Sequence, residues 1–456
     1  MKRFFQTLQN IYRIEDLRTR IINTLGIILI YRLGSYVVLP GVDPHQLDAL
    51  QAQSSDGLLG LLNMFSGGAF ANASIFALGI MPYISASIVV QLLGVAVPYF
   101  QKLQKEGESG RKKINQITRY LTVIITGAQA PAYLANLASQ LPRSAITPFD
   151  GDPGASMTFF IISSVIILIA GTMFVMWLGE RITEKGIGNG ISLIIMIGII
   201  ANLPFALAAE FIARVEETGG GGLVIFLVEL VILMSIVVLA IMLVQGTRRI
   251  PVQFAKRIVG NKQYGGVRQY IPLKVNAAGV MPIIFAQAIM FIPITLAGFT
   301  ESEALSGFSA AFADYLGFWY NFTFAILIIL FTYFYTAITV NPNQMAEDMK
   351  KNGGFIPGVK PGKRTAEFID NIMSRITLPG SLFLAFVAIM PAIVSLMGVT
   401  GQFSQFFGGT SLLIMVGVVL DTLQQIESHL LMRHYDGLTK SGRIKGRASG
   451  MMGMAG

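Results

Sequence analysis

Long apolar stretches recur through the whole chain and constrain its fold more than any other feature. With a window of about 19 residues, ten of them are long enough to cross a bilayer as helices. We number them spans 1 to 10, and they cover residues 21–39, 74–96, 118–138, 157–178, 190–209, 222–245, 277–298, 318–340, 378–397 and 409–428. The 456 residues are 53% hydrophobic and only 13% charged, whereas soluble domains are about a quarter charged. The sequence therefore predicts an all-α integral membrane protein.

Positive charge alternates between the loops that join these spans. Most Lys and Arg residues lie in the N-terminus, in the loops 97–117, 179–189, 246–276 and 341–377, and in the C-terminal tail. The intervening loops 39–73 and 299–317 contain none. The positive-inside rule then places the basic loops and both termini in the cytoplasm. Topology explains most of the net charge of +9, so binding of DNA is not the main interpretation.

The spans divide into two halves of five, residues 1–215 and residues 216–456. Because five is odd, a repeated half must invert its topology, and in inverted repeats the functional pathway lies between the halves. The second span of each half carries a Met-Pro pair, Met81-Pro82 and Met281-Pro282, and we expect a kink at both prolines. The first 20 residues are amphipathic and are expected to lie along the cytoplasmic surface, not to form a cleavable signal peptide.

A broken apolar stretch precedes span 2. Leu58–Phe65 is too short to cross a bilayer, and Ser66-Gly67-Gly68 follows as a flexible junction. Lipid-exposed backbone does not tolerate such breaks, but a cavity lined by protein does. We therefore predict a re-entrant helix that acts as a lid on the outer side, because loop 39–73 has no Lys or Arg.

The spans contain few groups that could do chemistry. The chain has no Cys and three His residues, all outside or at the end of spans, and Gly186–Gly190 predicts a tight turn opening span 5, since it lacks the Lys-Ser/Thr of a phosphate-binding loop. We expect no catalytic residue, metal site or cofactor. The intramembrane charges are Arg32, Glu229 and Asp421. Arg32 is expected to bind a backbone carbonyl or to extend toward the outer face, and Glu229 to lie near the outer interface.

What remains is a passage through the membrane. Isoleucines at helical spacing, Ile84 with Ile88 and Ile191 with Ile195, suit a pore with an apolar constriction that gates by dewetting. Lipid-facing or core isoleucine explains the same spacing more simply. A secondary transporter with inverted repeats is the competing interpretation, but it needs coupling-ion ligands near the midplane, and the scarcity of intramembrane acids disfavours it.

The loops 246–276 and 341–377 are far longer than a connection between helices requires. Both combine Lys and Arg with Gly and Pro turns. We expect ordered, protruding surfaces that dock an acidic protein or an RNA backbone. Solvated linkers are the alternative.

A series of motifs, in order along the chain, carries a specific resemblance. They are LGIMPYISASIVVQLL from Leu78, KEGESGRKKINQITRY from Lys105, GERITEKGIGNGISLII from Gly179, RRIPVQFAKR from Arg248, LKVNAAGVMPIIFA from Leu273, FIPGVKPGKRT from Phe355 and GTSLLIMVGVVLDT from Gly409. Over nearly its whole length the chain resembles the SecY family, the large channel subunits of the bacterial protein-translocation machinery. The resemblance implies ten transmembrane helices in two inverted halves around a pore in the bacterial cytoplasmic (inner) membrane. Unfolded secretory proteins pass through such a pore, and transmembrane segments leave it sideways.

The resemblance also implies roles for individual residues. An apolar ring at the pore waist falls on Ile84, Ile88, Ile195, Ile284 and Ile414, with Ile191 as an alternative in span 5. A plug closing the outer vestibule at residues 58–68 includes Leu58, Leu61, Leu62, Met64, Phe65, Gly67 and Gly68. A lateral gate between spans 2 and 3 and spans 7 and 8 includes Ser87 and Gln91. Docking of the motor SecA and of the ribosome falls on Arg248, Arg249, Lys256, Arg257, Lys360, Lys363 and Arg364.

Members of this family work with partners. The resemblance implies SecE-like and SecG-like small membrane subunits, the SecA ATPase, the ribosome, signal peptides, nascent chains and membrane lipid. The energy comes from SecA, translation or the membrane potential, because the chain has no nucleotide site of its own. One position departs from the family pattern: Lys360 stands where an Arg is usual, and Lys lacks the bidentate fork of Arg. A docking contact at this position therefore does not carry over directly.

Overall fold

The chain folds mainly into long helices. The computed structural model describes residues 14–47, 60, 63–141, 153–217, 222–254, 257–259, 262–264, 268–297 and 316–441. The helices of the first half are α1 (Glu15–Gly34), α2 (Met81–Ala96), α3 (Pro98–Lys105), α4 (Glu108–Gln140), α5 (Pro153–Lys185) and α6 (Gly190–Glu217). Those of the second half are α7 (Gly222–Gln245), α8 (Met281–Ala297), α9 (Phe318–Thr339), α10 (Pro342–Lys351), α11 (Lys363–Leu396), α12 (Gly401–Ser404) and α13 (Gly409–Ser441).

Every predicted span has a helix, in the order α1, α2, α4, α5, α6, α7, α8, α9, α11 and α13. Within the described residues, seven helices are long and apolar enough to cross a membrane on their own. The pair α2 and α3, bent by 97°, makes an eighth. The remaining two, α1 and α8, complete the two sets of five.

Several helices are longer than the predicted spans. Helix α4 begins at Glu108, ten residues before span 3, and α11 begins at Lys363, well before span 9. Helix α6 continues to Glu217, so the predicted boundary between residues 215 and 216 falls inside its last turn. Hydropathy locates the apolar part of a helix, whereas backbone hydrogen bonding continues into polar residues beyond the membrane. The amphipathic start lies mostly outside the described residues.

The two Met-Pro pairs do not kink their helices, and this prediction was wrong. Met81 and Met281 are the first residues of α2 and α8, so Pro82 and Pro282 lie in the first turn. At that position the missing N–H of proline would have no partner within the helix, and the fixed φ of the ring favours the helix start. Span 2 is correspondingly shorter than predicted, because residues 66–80 form successive turns instead of helix.

The described parts of the two long basic loops are ordered, as expected, but both loops contain β-structure that an all-α description does not include. Strands β1 (Thr247–Phe254), β2 (Arg257–Val259), β3 (Lys262–Tyr264) and β4 (Arg268–Lys274) belong to the first loop, and β5 (Gly354–Phe355) to the second. Antiparallel pairing gives the order β4-β1-β5 in one sheet and pairs β2 with β3 in the other. We call the end of the bundle that carries these strands the basic end, and the opposite end the far end.

The two loops share a small core of their own at the basic end. Ile250 and Val252 of β1 and Leu273 of β4 are buried together with Met349 of α10 and Met373 of α11. Because residues from both loops bury the same apolar surface, the loops form a single protruding unit. Solvated linkers, the alternative interpretation, would not bury a shared core.

The contacts between the two halves are unequal around the bundle. On one side α6 packs closely against α7 and α13. On the other side the described residues of α2 and α4 have at most weak contact with those of α8 and α9, although α2 packs well on α4 and α8 on α9. The bundle therefore has one closely packed edge and one thinly packed edge between its halves.

Candidate functional site

The turns that follow the short helical segment at residues 63–65 are tied to the centre of the bundle by hydrogen bonds from α1. The Tyr31 hydroxyl donates to the Ser66 carbonyl at 2.9 Å, and the Arg32 Nη1 atom donates to the Gly67 carbonyl at 2.7 Å. Arg32 therefore binds a backbone carbonyl, which was one of its two expected roles. Met64 and Phe65 are buried, so this segment is held by polar and apolar contacts together.

The same segment approaches α6 at backbone distance. A Cβ atom built on Gly67 would lie 2.9 Å from the Gly198 Cα atom, and one built on Gly198 would lie 3.1 Å from the Gly67 nitrogen. Gly67 also has a φ of +68°, a conformation that side-chain-bearing residues seldom adopt. Two glycines thus let the segment lie directly against α6.

A cavity of about 310 Å³ opens beside this segment and draws its walls from both halves. The first half contributes Arg32 and Asn202, and the second half contributes Gln402, Gln405 and Phe406. Met64, Gly67 and Gly68 face the same cavity. The described part of the predicted plug therefore lies between the halves, whereas Leu58, Leu61 and Leu62 lie outside the described residues.

The predicted ring isoleucines are only partly brought together. Ile195 and Ile414 belong to the main buried cluster of the bundle, and Ile84 packs against it. Ile88 is also buried, and Ile284 is half-buried, but neither belongs to that cluster among the described residues. Ile191, the alternative in span 5, packs against the cluster while remaining partly exposed.

Among the described residues, a hydrogen bond between side chains crosses the thinly packed edge. The Tyr335 hydroxyl of α9 donates to the Gln91 Oε1 atom of α2 at 3.4 Å. Ser87, one turn earlier on α2, is half-buried. The two predicted gate residues therefore lie on the helix that forms this edge, and one of them contacts the other half.

The Gly186–Gly190 turn was correctly predicted, since α6 begins at Gly190. It also connects distant parts of the chain. The Ile187 N–H donates to the Thr24 hydroxyl at 3.1 Å, and the Gly188 N–H donates to Gln425 Oε1 of α13 at 2.9 Å. The described residues contain no group of three or more His, Cys, Asp or Glu residues that could hold a metal ion.

The sequence profile of the SecY family matches residues 74–423. The chain is 44% identical over 444 residues to the protein translocase subunit SecY of Streptomyces scabiei, an alignment that covers 94% of this chain and 98% of that protein. The protein of the same name from Halalkalibacterium halodurans is 44% identical over 441 residues, with 96% and 100% covered. The chain belongs to the SecY family.

Solved structures agree with the SecY fold. One described as the structure of a protein conducting channel has a TM-score of 0.58 at 16% identity, covering 94% of this chain and 95% of that one. Sec61 in the canine ribosome-channel complex from the endoplasmic reticulum has a TM-score of 0.54 at 15% identity, again over 94% and 95%. At these identities the likeness establishes the architecture: ten long helices in two halves.

The docking residues implied by the resemblance to the SecY family lie at the basic end, except Lys256, which is outside the described residues. Arg248 and Arg249 are exposed on β1, and Lys360, Lys363 and Arg364 are exposed at and just before the start of α11. The β1–β5 pairing joins the strand that carries Arg248 and Arg249 to the loop that carries Lys360, Lys363 and Arg364. Arg257 lies in β2.

The sequence analysis missed a buried group of charges at the far end. Arg214, assigned to a loop, lies on α6 and donates to Glu210 Oε1 at 2.9 Å and to Glu229 Oε1 at 2.6 Å. Glu229 is therefore buried and paired with Arg214. Glu210 was overlooked because span 5 was ended at residue 209. The i, i+4 spacing of Glu210 and Arg214 is the signal that could have indicated a helical ion pair.

Proposed function

We propose that this chain is the channel subunit of a bacterial protein translocon, which passes unfolded proteins across the cytoplasmic membrane and releases transmembrane segments sideways into the lipid. It is a channel subunit and not an enzyme. The observation that carries the proposal is the tethered segment Asn63–Gly68, which lies between the halves in a cavity lined by both. Membership of the SecY family supplies the class of cargo.

The segment acts as a plug on the outer side of a closed channel. Two hydrogen bonds from α1 and the backbone approach to α6 hold it in place. These contacts are made by side chains of α1 and by packing on α6, so moving the segment does not require either helix to unfold. The apolar ring of Ile84, Ile88, Ile195, Ile284 and Ile414 forms the constriction beneath it. Branched apolar side chains suit this role because they make no hydrogen bonds to a passing chain and exclude water when closed.

The thinly packed edge is the lateral gate. Helices α2 and α4 meet α8 and α9 there with little contact, and the Gln91–Tyr335 hydrogen bond is long and exposed. Such a contact contributes little to stability, so a hydrophobic signal helix can replace it. Ser87 and Gln91 on α2 would then face the incoming segment.

The protruding unit at the basic end docks the partners that supply energy, SecA and the ribosome. Its exposed Arg and Lys side chains suit an acidic protein surface or an RNA backbone. Sec61 in the canine complex named above was observed with a ribosome. SecE-like and SecG-like subunits complete the complex in the bilayer. Both termini and the basic end face the cytoplasm, as the positive-inside rule requires.

Cross-linking across the thinly packed edge tests the gate. Gln91 and Tyr335 meet only through the ends of long side chains, so Cys at these positions needs a bifunctional reagent to bridge the gap. Because the chain has no native Cys, a cleavable thiol-specific cross-linker joins only the pair Gln91→Cys and Tyr335→Cys. Cross-linking should stop export of a secretory protein into membrane vesicles, and cleavage of the reagent should restore it. The matched control pair, Arg119→Cys and Glu180→Cys, joins α4 to α5 within the first half and should leave export intact when cross-linked.

The result can contradict the proposal in a definite way. If the Gln91–Tyr335 pair cross-links fully and export continues at the uncross-linked rate, this edge does not open during transport. A secondary transporter, the competing function, would show solute uptake instead of protein export in the same vesicles.

A further inference from the structure

The buried charges at the far end lie where the two halves meet. Helix α6 begins at the basic end and α7 runs back toward β1, so the end of α6 and the start of α7 are both at the far end. Glu210 and Arg214 belong to α6, and Glu229 belongs to α7. The Arg214–Glu229 ion pair joins the two halves.

Burial makes this group different from a surface ion pair. The side chains of Glu210, Arg214 and Glu229 are 0%, 12% and 8% exposed. Breaking a buried pair by removing one partner leaves a charge without compensation in a poorly solvated place, which is far more costly than the loss of a surface pair. An ionisable group inside a membrane protein is by default a candidate for function, and no part of the transport pathway proposed above uses these three.

The group also holds the loop that precedes α12. The Arg214 Nη2 atom donates to the Gly398 carbonyl at 2.8 Å. Glu210 Oε2 accepts from the Thr400 N–H at 2.8 Å and from the Thr400 hydroxyl. The first half therefore supplies both carboxylate and guanidinium contacts to the chain immediately before Gly401, where α12 begins.

The residues just after Thr400 form the second half's wall of the central cavity. Gln402 of α12, together with Gln405 and Phe406 of the 3-10 helix that follows it, lines the cavity opposite the segment that contains Gly67. We call these three residues the α12 wall. Ala206, one helical turn before Glu210 on α6, lines the same cavity. The charged group and the cavity wall are thus connected through Thr400 and through one face of α6.

We propose that Glu210, Arg214 and Glu229 form an outer latch between the halves, which positions the α12 wall against the plug and so keeps the resting channel sealed. The proposal rests on the proposed function for the part played by the plug. The latch residues are positioning residues, because they act on the cavity through Thr400 and do not face it themselves. The latch lies on the closely packed edge, so it stays joined while the opposite edge opens.

Two variants remove the latch contacts with little change in shape. Glu229→Gln removes the ion pair between the halves, and Thr400→Val removes the hydroxyl donor to Glu210. Glu216→Gln is the matched control, because Glu216 lies on α6 with Glu210 and Arg214 but is exposed. Arg214→Gln should have the largest effect, since it leaves two buried carboxylates, and Arg214→Lys should restore part of the function by returning the charge.

Hydrogen exchange measured on the intact complex reports the position of the α12 wall directly. We expect amide exchange at residues 401–407 to rise roughly 2- to 30-fold in Glu229→Gln and in Thr400→Val, the range typical of mutations that alter coupling between sites. Resting ion leak through the channel in proteoliposomes should also rise in Glu229→Gln and in Thr400→Val, and it should rise most in Arg214→Gln. Glu216→Gln should change neither quantity.

The two readouts separate the latch from the plug. Unchanged exchange at residues 401–407 in both Glu229→Gln and Thr400→Val would overturn the latch, even if Arg214→Gln failed to fold. Raised exchange without raised leak would overturn its sealing role. Deleting residues 58–65 is the reference for leak. If this deletion leaves the leak unchanged, the plug role proposed for the segment is refuted. The exchange data would still decide whether the latch positions the α12 wall.

Discussion

Replacing Gly67 by alanine should push the plug segment away from α6. The new methyl group meets two separate obstacles. Gly67 has a φ of +68°, and holding a residue with a side chain in the left-handed region costs about 1–2 kcal/mol. The Cβ atom would also lie 2.9 Å from the Gly198 Cα atom and 2.9 Å from Arg32 Nη1, and overpacking of this kind costs typically about 1–3 kcal/mol.

Gly68→Ala is the matched control for the first obstacle. Gly68 has a φ of +89°, but its nearest neighbours would be 4.0 Å from a new Cβ atom. Both variants therefore strain the backbone, and only Gly67→Ala clashes. Gly198→Ala tests the close contact by itself. Its Cβ atom would lie 3.1–3.3 Å from backbone atoms of Gly67 and Met64, and Gly198 has no positive φ.

Resting ion leak in proteoliposomes measures how often the segment is displaced. The difference of about 1–3 kcal/mol between the two variants corresponds to a ratio of roughly 5 to 150 in the displaced population. We expect Gly67→Ala to leak more than Gly68→Ala by a factor in this range, with Gly198→Ala also above wild type. Equal leak in Gly67→Ala and Gly68→Ala would refute the reasoning, because the contact with Gly198 would then not hold the segment.

Two further predictions concern other parts of the molecule. Ile250 is only 4% exposed in the shared core at the basic end, so Ile250→Ala should cost about 2–5 kcal/mol of stability there. The loops should then become more sensitive to protease and bind SecA less well. The control Gln269→Ala, at an exposed position, should change neither property. Arg119→Gln breaks the 2.6 Å ion pair between Arg119 and Glu180, whose side chains are 48% and 24% exposed. The free energy of unfolding should therefore fall by only about 0–1 kcal/mol. A loss as large as that in Arg214→Gln would show that exposure does not explain the difference between the two ion pairs.

The sequence alone determined the class and the order of the helices. Apolar segments of about 20 residues have few alternatives in a bilayer, because every backbone polar group must be satisfied within the segment. The length of each segment and the alternation of Lys and Arg are one-dimensional properties, so they can be read directly. The carbonyl bound by Arg32 and the turn at Gly186–Gly190 were also anticipated, since an isolated intramembrane charge and a run of glycines each admit few arrangements.

Other features depended on contacts between residues far apart in the chain. Pro82 and Pro282 begin helices instead of bending them, and hydropathy does not register the difference. The shared core of the basic end joins Ile250 to Met373, and the periodicity of either loop alone does not indicate a partner. The ring isoleucines are the clearest case: Ile195 and Ile414 share a cluster while Ile88 and Ile284 do not join it, because helix rotation, which helical spacing leaves free, decides where each side chain points.

The buried charges at the far end mark the division between the two sources of information. The sequence determined that Glu210 and Arg214 are four residues apart and that Glu229 lies inside an apolar stretch. Only the tertiary structure decided that the ends of α6 and α7 and the loop at Gly398–Thr400 converge, which turns an isolated carboxylate into a bridge between the halves. The physical reason is that the energy of a charge depends on which groups surround it after packing, and the order of residues along the chain does not specify those neighbours.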